Sequence, residues 1–202
     1  MLCVFFTIST SVEAQNVLEK KILADDIETI SINGNQVFSI SISTVKTEYI
    51  TIKSSLDGEY QNQFQILIED ENGELKLSLE RMVFEVIADD KRNAHKVIAA
   101  ALHLEIPEQL TLNIFSDVGS VHLNGNFDVL SIELFQGHCE VIGKVNNATI
   151  NTIDGNINVV TQSATINANS NNGSIILDEF SMSKSVWKLQ TINGDITVVK
   201  PD

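Results

Sequence analysis

Positive charge is scarce in this chain of 202 residues. Thirteen lysines and arginines face 27 aspartates and glutamates, which gives a formal net charge of −14. No arginine follows Pro107. Because nucleic acids and anionic membranes repel a protein of this charge, the composition argues against either as a partner. A well-solvated acidic surface is the simplest consequence.

Long apolar runs are missing after the N-terminus. No later segment has the ~18 consecutive apolar residues of a transmembrane helix, so we predict no membrane span. The one apolar run opens the chain, in the sequence MLCVFFTISTSVEAQ. It resembles a secretory signal, because Val12-Glu13-Ala14 approximates the small-x-small cleavage pattern; a buried first strand is the alternative. We therefore predict a signal peptide at residues 1–14 and one exported domain at residues 15–202.

Cysteine is limited to Cys3 and Cys139. Cleavage of the predicted signal would remove Cys3, and the remaining chain could form no internal disulfide. Its stability must then come from packing of β-structure. We expect Cys139 to behave as a small apolar side chain rather than as a reactive thiol.

A glycine repeat dominates the second half of the chain. The glycines follow one another at intervals of 18, 18, 18 and 21 residues, at Gly119, Gly137, Gly155, Gly173 and Gly194. Apolar residues recur five and seven positions before each glycine and two and four positions after it. This spacing of two is the side-chain period of a β-strand. Each repeat is therefore predicted to be two short strands that meet at a glycine corner.

Two arrangements fit these repeats. Asn-Gly and Asp-Gly pairs close antiparallel hairpins, whereas a fixed period is typical of a stacked solenoid in which glycine supplies a positive φ at each corner. The period favours the solenoid, and parallel crossovers are right-handed in roughly 98% of cases. We predict an all-β fold: a right-handed parallel β-solenoid, like a single-stranded β-helix. Coils of about 18 residues occupy residues 102–202, and less regular β coils or a small sheet occupy residues 15–101.

The sequence LHLEIPE at residues 102–108, followed by the Gly-x-Ile/Val repeats, resembles the adhesin domains of bacteria. These include the auto-transporter adhesin head family, or GIN domain, and the resemblance covers residues 30–200. It implies an exported, β-solenoid-like protein of the bacterial periplasm or cell surface. It implies adhesion as well, but no catalytic residues, because the resemblance is one of shape.

The sequence shows no clear cluster of catalytic or metal-binding residues. Asp154 precedes its glycine and Asp195 follows its own, so the two carboxylates share no column that could serve a polysaccharide-active enzyme. The four histidines, His95, His103, His122 and His138, have no partner at zinc-binding spacing. We expect no enzyme, no metal and no cofactor. A polysaccharide-active β-helix enzyme is the less favoured alternative.

Two phenylalanines are the candidates for binding. Phe115 and Phe135 lie four and two positions before their glycines, where several other repeats have polar residues. If both point outward, they form an exposed apolar patch that marks a partner site; we expect instead that the N-terminal half covers them. The partner class is an unknown envelope protein or glycan. The alternative function is a structural or assembly component that associates with itself through its solenoid ends.

The export prediction can be tested on native protein. We expect the mature chain to begin at or near Gln15 and to be recovered outside the cytoplasm. Intact-mass measurement decides this, and a full-length cytoplasmic species would contradict it.

Overall fold

The computed structural model describes residues 16–57, 64–82 and 99–201, so the predicted signal peptide lies outside the described residues. These residues form strands and no helix, which confirms the all-β prediction. No helix among them could cross a membrane. The strands are β1 Asn16–Leu23, β2 Thr29–Asn33, β3 Val37–Thr44, β4 Tyr49–Asp57, β5 Phe64–Glu71, β6 Glu74–Arg81, β7 Ala99–Ile106, β8 Thr111–Ser116, β9 Ser120–Gln136, β10 Cys139–Asp154, β11 Ile157–Val160, β12 Thr165–Ser170, β13 Ile175–Leu177, β14 Val186–Asn193 and β15 Ile196–Val199.

The strands form two hydrogen-bonded rows that share one core. The first row runs β1-β4-β7-β3-β9-β10-β11-β15-β13, and the second runs β5-β6-β2-β8-β9-β10-β14-β12. The long strands β9 and β10 belong to both rows, which makes the whole a single open sheet. Alternate side chains of both rows are buried in one apolar cluster, as the period of two requires.

The register of the structure is the one obtained by aligning the glycines. Strands β9 and β10 pair in parallel with an offset of 18 residues, so that Val121 lies beside Cys139. Cys139 lies in turn beside Ile157, and all three side chains are fully buried. Like residues therefore stack on like residues in neighbouring repeats. The stacking gives this inward column a continuous apolar surface.

The corner positions require glycine mainly because neighbouring backbones approach them closely, and less because of their own φ angles. Only Gly137 of the five has the positive φ that we expected at every corner. A Cβ on Gly155 would overlap the carbonyl group of Gly137, and one on Gly194 would overlap that of Gly155. A Cβ on Gly173 would overlap Gly194, and one on Gly137 would overlap Gly119. Neighbouring repeats thus touch backbone to backbone at this corner.

Buried hydroxyl groups satisfy the polar groups of these corners. Ser116 Oγ accepts a hydrogen bond from the Gly119 amide and donates to the Gly34 carbonyl, both at 3.0 Å. The hydroxyls of Thr152 and Thr191 lie 2.8 Å apart and within 2.9 and 3.1 Å of the Gly155 carbonyl oxygen. Leu134 holds the equivalent place before Gly137, the corner with the positive φ. A hydroxyl side chain three positions before the glycine is therefore part of most of these corners, because buried backbone groups need hydrogen-bond partners.

The last repeat does not stack at the end, which corrects the expected order. Strands β14 and β15 lie between the repeat of Gly155 and the repeat of Gly173, since β15 pairs with both β11 and β13. Ile157 therefore lies between Cys139 and Ile196, and not between Cys139 and Ile175. The 21-residue interval before Gly194 marks this change, because residues 178–185 must lead the chain back past one repeat.

The sheet is mixed, so the expected wholly parallel arrangement is too simple. Strands β2 and β3 form a further repeat around Gly34 and pair in parallel with β8 and β9. Antiparallel pairs then close this end, namely β1 with β4, β4 with β7 and β5 with β6. Antiparallel strands need only short connections, whereas parallel strands need crossovers. The right-handed sense of the stack stays a prediction.

The register can be tested at two adjacent positions. Ile157 is fully buried between two apolar side chains, whereas Asn158 is exposed. Ile157→Asp buries an unpaired carboxylate and loses packing, so we expect it to lower the free energy of unfolding by at least ~3 kcal/mol. Asn158→Asp should change it by no more than about 0.5 kcal/mol. Urea melts measure both, and equal or reversed effects would mean that the strand is turned over.

Candidate functional site

The two predicted phenylalanines lie side by side on the outer surface of the second row. Phe115 is in β8 and Phe135 in β9, and their rings are perpendicular with centroids 5.8 Å apart. They are 37% and 49% exposed. Within the described residues the N-terminal half does not provide the expected cover, because the β5–β6 hairpin is added at the edge of the row and leaves the rings exposed. Their edge-to-face contact is a favourable aromatic geometry.

Two isoleucines extend this patch across the next two repeats. Thr152 pairs with Leu134 and with Thr191, and this register sets Phe135, Ile153 and Ile192 in one outward column. Both isoleucines are exposed. Sequence reasoning missed them because the polar residues Asp117 and Asn171, at the same position of other repeats, were taken as typical of that position. The available signal was the apolar residue two positions before Gly137, Gly155 and Gly194, on the side of the strand that is otherwise polar.

These side chains line a groove of about 360 Å³, which we call the apolar groove. It is defined by Phe115, Phe135, Ile153 and Ile192, and amide and carboxylate side chains border it. The bordering residues are Glu133, Asn151, Asn171 and Gln190. An apolar floor with a few polar groups at its margin is the usual composition of a ligand site. The groove could therefore hold a ligand that has an apolar face and hydrogen-bonding groups at its edges.

A second cavity of about 550 Å³, lined by more charged residues, adjoins the apolar groove and shares Phe115 and Glu133 with it. Its lysine, Lys76, is already paired with Glu71 at 3.0 Å. The hydrogen bond and charge of Glu71 raise the pKa of Lys76, so the amine stays protonated. Glu69 and Glu74 also line this cavity. The second cavity has three carboxylates and one amine that is already paired, and the apolar groove has one carboxylate and no amine. Both cavities therefore disfavour an anionic ligand.

The acidic side chains considered for catalysis join neighbouring repeats. Asp154 accepts a hydrogen bond from Asn193 Nδ2 at 2.6 Å. Asp195 accepts from the amide and hydroxyl of Ser174 at 2.7 and 2.8 Å. These two bonds, the backbone one first, lower the pKa of Asp195. The carboxylate stays ionised and holds the repeat of Gly173 to that of Gly194.

The histidines are spread over the outer surface of the first row. His103 Nδ1 lies 2.8 Å from Ser41 Oγ, and His122 Nδ1 lies 3.1 Å from Glu140 Oε2. His138 Nδ1 accepts a hydrogen bond from the Asn156 amide at 3.1 Å. His95 is outside the described residues. Among residues 16–57, 64–82 and 99–201, no three His, Cys, Asp or Glu side chains gather as metal ligands would.

Cys139 is fully buried in the inward column. Burial, aided by the charge of Glu140, raises the pKa of its thiol to about 12. The thiolate is the reactive form of cysteine, and almost none is present at neutral pH. Its place in the core thus suits packing rather than nucleophilic chemistry.

Comparison with known proteins bears on the fold. No family model matches the sequence, and no curated protein matches it. A solved structure from Clostridium sporogenes, described as a "putative cell adhesion protein", is 13% identical. It matches over 93% of this chain and 100% of its own, with a TM-score of 0.66. The chain shares its fold with this structure.

Solved structures described as "putative adhesin" also match. One from Bacteroides fragilis is 11% identical over 93% of this chain and 98% of its own, with a TM-score of 0.40. Another, from Parabacteroides distasonis, is 11% identical over 92% of this chain and 97% of its own, with a TM-score of 0.36. The resemblance to adhesin domains that the sequence indicates agrees with the description of the Clostridium sporogenes structure, whose fold this chain shares.

The state of Cys139 gives a direct test of the core. In a chain without Cys3, we expect the folded protein to resist a thiol-specific reagent at pH 8, because the thiol is buried and protonated. Unfolding in urea should release one equivalent of reactive thiol. Adding Asn158→Cys should give one equivalent that reacts in the folded state. Rapid labelling of Cys139 without urea would contradict this account of the core.

Proposed function

We propose that this protein is an exported, non-catalytic, adhesin-like binding protein whose apolar groove holds a component of the cell envelope or surface. The groove's composition supports binding. The pairing of carboxylates with neighbouring repeats supports the absence of catalysis. Export rests on the apolar N-terminal segment and on the resemblance to exported adhesin domains. The right-handed solenoid that we infer would present the groove on a rigid surface.

The observation that carries this proposal is the continuity of the apolar groove. Phe115, Phe135, Ile153 and Ile192 come from four different strands and still adjoin one another on the outer face. Exposed apolar side chains that stand singly are ordinary, whereas a contiguous patch with a polar rim is typical of an interaction site. A rigid sheet also lowers the cost of binding, because the side chains are already in place.

Two other functions remain as alternatives. A structural or assembly component of the envelope would use the ends of the stack and leave the groove without a ligand. A polysaccharide-active enzyme would need an acid and a base close together at the groove. Glu133 borders the groove, and its register neighbours in the adjoining repeats are Phe115 and Asn151 rather than a second carboxylate. The binding function is therefore favoured.

The proposal predicts that Phe135→Ala weakens binding by at least about tenfold, as expected for a central aromatic contact. The ligand would be found on a glycan array or by pull-down from envelope extract, and its affinity would then be measured with purified protein. Phe38→Ala is the matched control, because Phe38 is an exposed phenylalanine outside the groove. The control should bind as the unchanged protein does.

Each outcome separates the candidates. Equal affinity of the Phe135→Ala and Phe38→Ala proteins for the captured ligand would place binding elsewhere and sink the proposal. Self-association without any captured ligand would favour the assembly component. Turnover of a polysaccharide by pure protein would favour the enzyme. Thermal melts of both variants confirm that each is folded before its affinity is compared.

A further inference from the structure

One end of the stack is open and apolar. The outermost repeat consists of β12 and β13, and within the described residues these strands pair only with β14 and β15. Ile175 and Leu177 belong to inward columns, yet both are exposed. Ile196 and Val198 hold the same two columns one repeat further in and are fully buried. The open end therefore lacks the cover that every inner repeat receives.

The two strands of the open end also lack charge, and the nearest acidic residues in sequence are Asp178 and Glu179, which follow β13. Residues 165–177 read TINANSNNGSIIL and contain no Asp, Glu, Lys, Arg or His, in a chain whose net charge is −14. The edge strands at the opposite end differ. Strand β1 carries Glu19, Lys20 and Lys21, and β5 carries an acidic run at residues 69–71. Charged residues on an edge strand oppose pairing with another chain, so one end is protected against pairing and the other is not.

We infer that the open end formed by β12 and β13 pairs with the same end of a second copy of this chain, giving a closed two-fold dimer. Two strands that carry no charged residue match themselves without direct repulsion, which is what a two-fold interface requires. Head-to-tail stacking into a filament would instead bring this surface against the charged strands β1 and β5. The asymmetry of the two ends thus favours closure over polymerisation. This inference does not depend on the apolar groove.

The backbone pattern fixes a register for this dimer. The Ser174 carbonyl accepts from the Ile196 amide, and the Asp178 amide donates to the Val198 carbonyl. Because successive residues of a strand bond to opposite sides, the amides and carbonyls of Ile175 and Leu177 face the open edge. Antiparallel pairing of β13 with its copy would join Ile175 of each chain to Leu177 of the other. Ile176, which is 57% exposed, would then lie directly opposite Ile176 of the second copy.

This register makes Ile176 the residue to change. Directly opposed residues at a non-hydrogen-bonded position lie about 4.5 Å apart between Cα atoms, and like charges there destabilise pairing. Ile176→Lys would oppose two ammonium groups, and Ile176→Glu would oppose two carboxylates. A mixture of the two variants would instead place a lysine against a glutamate. Because more than half of the side chain is exposed in the single chain, either change removes little packing inside one copy.

Sedimentation of the purified protein over a range of micromolar concentrations tests the dimer. We expect the unchanged protein to dimerise, and each Ile176 variant to dimerise at least about tenfold more weakly. The equimolar mixture should regain the dimer. Ile142→Lys is the matched control, because Ile142 is exposed on the same face of the sheet but lies in an inner repeat. The control should dimerise as the unchanged protein does.

Three results would overturn the inference. One is an unchanged protein that stays monomeric, which would leave the open end to a different partner. Another is an Ile176→Lys protein that dimerises normally. The third is a mixture of the lysine and glutamate variants that stays as weak as either alone, since that result excludes the two-fold register about Ile176. Thermal melts that match the unchanged protein show that any loss of dimer is not a loss of fold.

Discussion

Backbone contact at the glycine corner is the constraint on which the rest of the structure depends. Each corner glycine lies against the backbone of the next, at a distance that leaves no room for a Cβ. This contact fixes the register between repeats to a single residue. A shift of one residue would turn every side chain to the other face, so the contact also decides which residues form the core. The inward apolar columns and the outward apolar groove are both consequences of that register.

Much of this register could be predicted from the sequence, because it is local. Within one repeat the alternation around the glycine gives the inward residues, and the interval of 18 residues pairs Val121 with Cys139 and Cys139 with Ile157. The physical role of the glycine was harder to predict. Asn-Gly and Asp-Gly pairs indicate a positive φ, whereas all five corners need glycine for the absence of its side chain and only Gly137 also has a positive φ. Close contact between the backbones of two repeats leaves no sequence pattern within either repeat.

The order of the repeats and the start of the stack could not be predicted for the same reason. Gly34 occupies a corner like that of Gly119, and its amide donates to the Phe115 carbonyl at 2.7 Å. Strands β3 to β8 lie between the two glycines in sequence, so no regular interval connects them. The insertion of β14 and β15 between two earlier repeats could not be predicted either, because aligning the repeats on their glycines assumes that they stack in chain order. Only the three additional residues before Gly194 indicate a departure, without giving its direction.

The inserted repeat also accounts for where the two surfaces lie. If the repeats stacked in chain order, Asn171 would follow Ile153 in the outward column, and a polar amide would interrupt the apolar groove. Insertion sets Ile192 beside Ile153 and so completes the groove. The same rearrangement moves the uncharged repeat of Gly173 to the outside, where its inward residues Ile175 and Leu177 are open to solvent. A single change in stacking order therefore builds one apolar surface on the face of the sheet and another at its end.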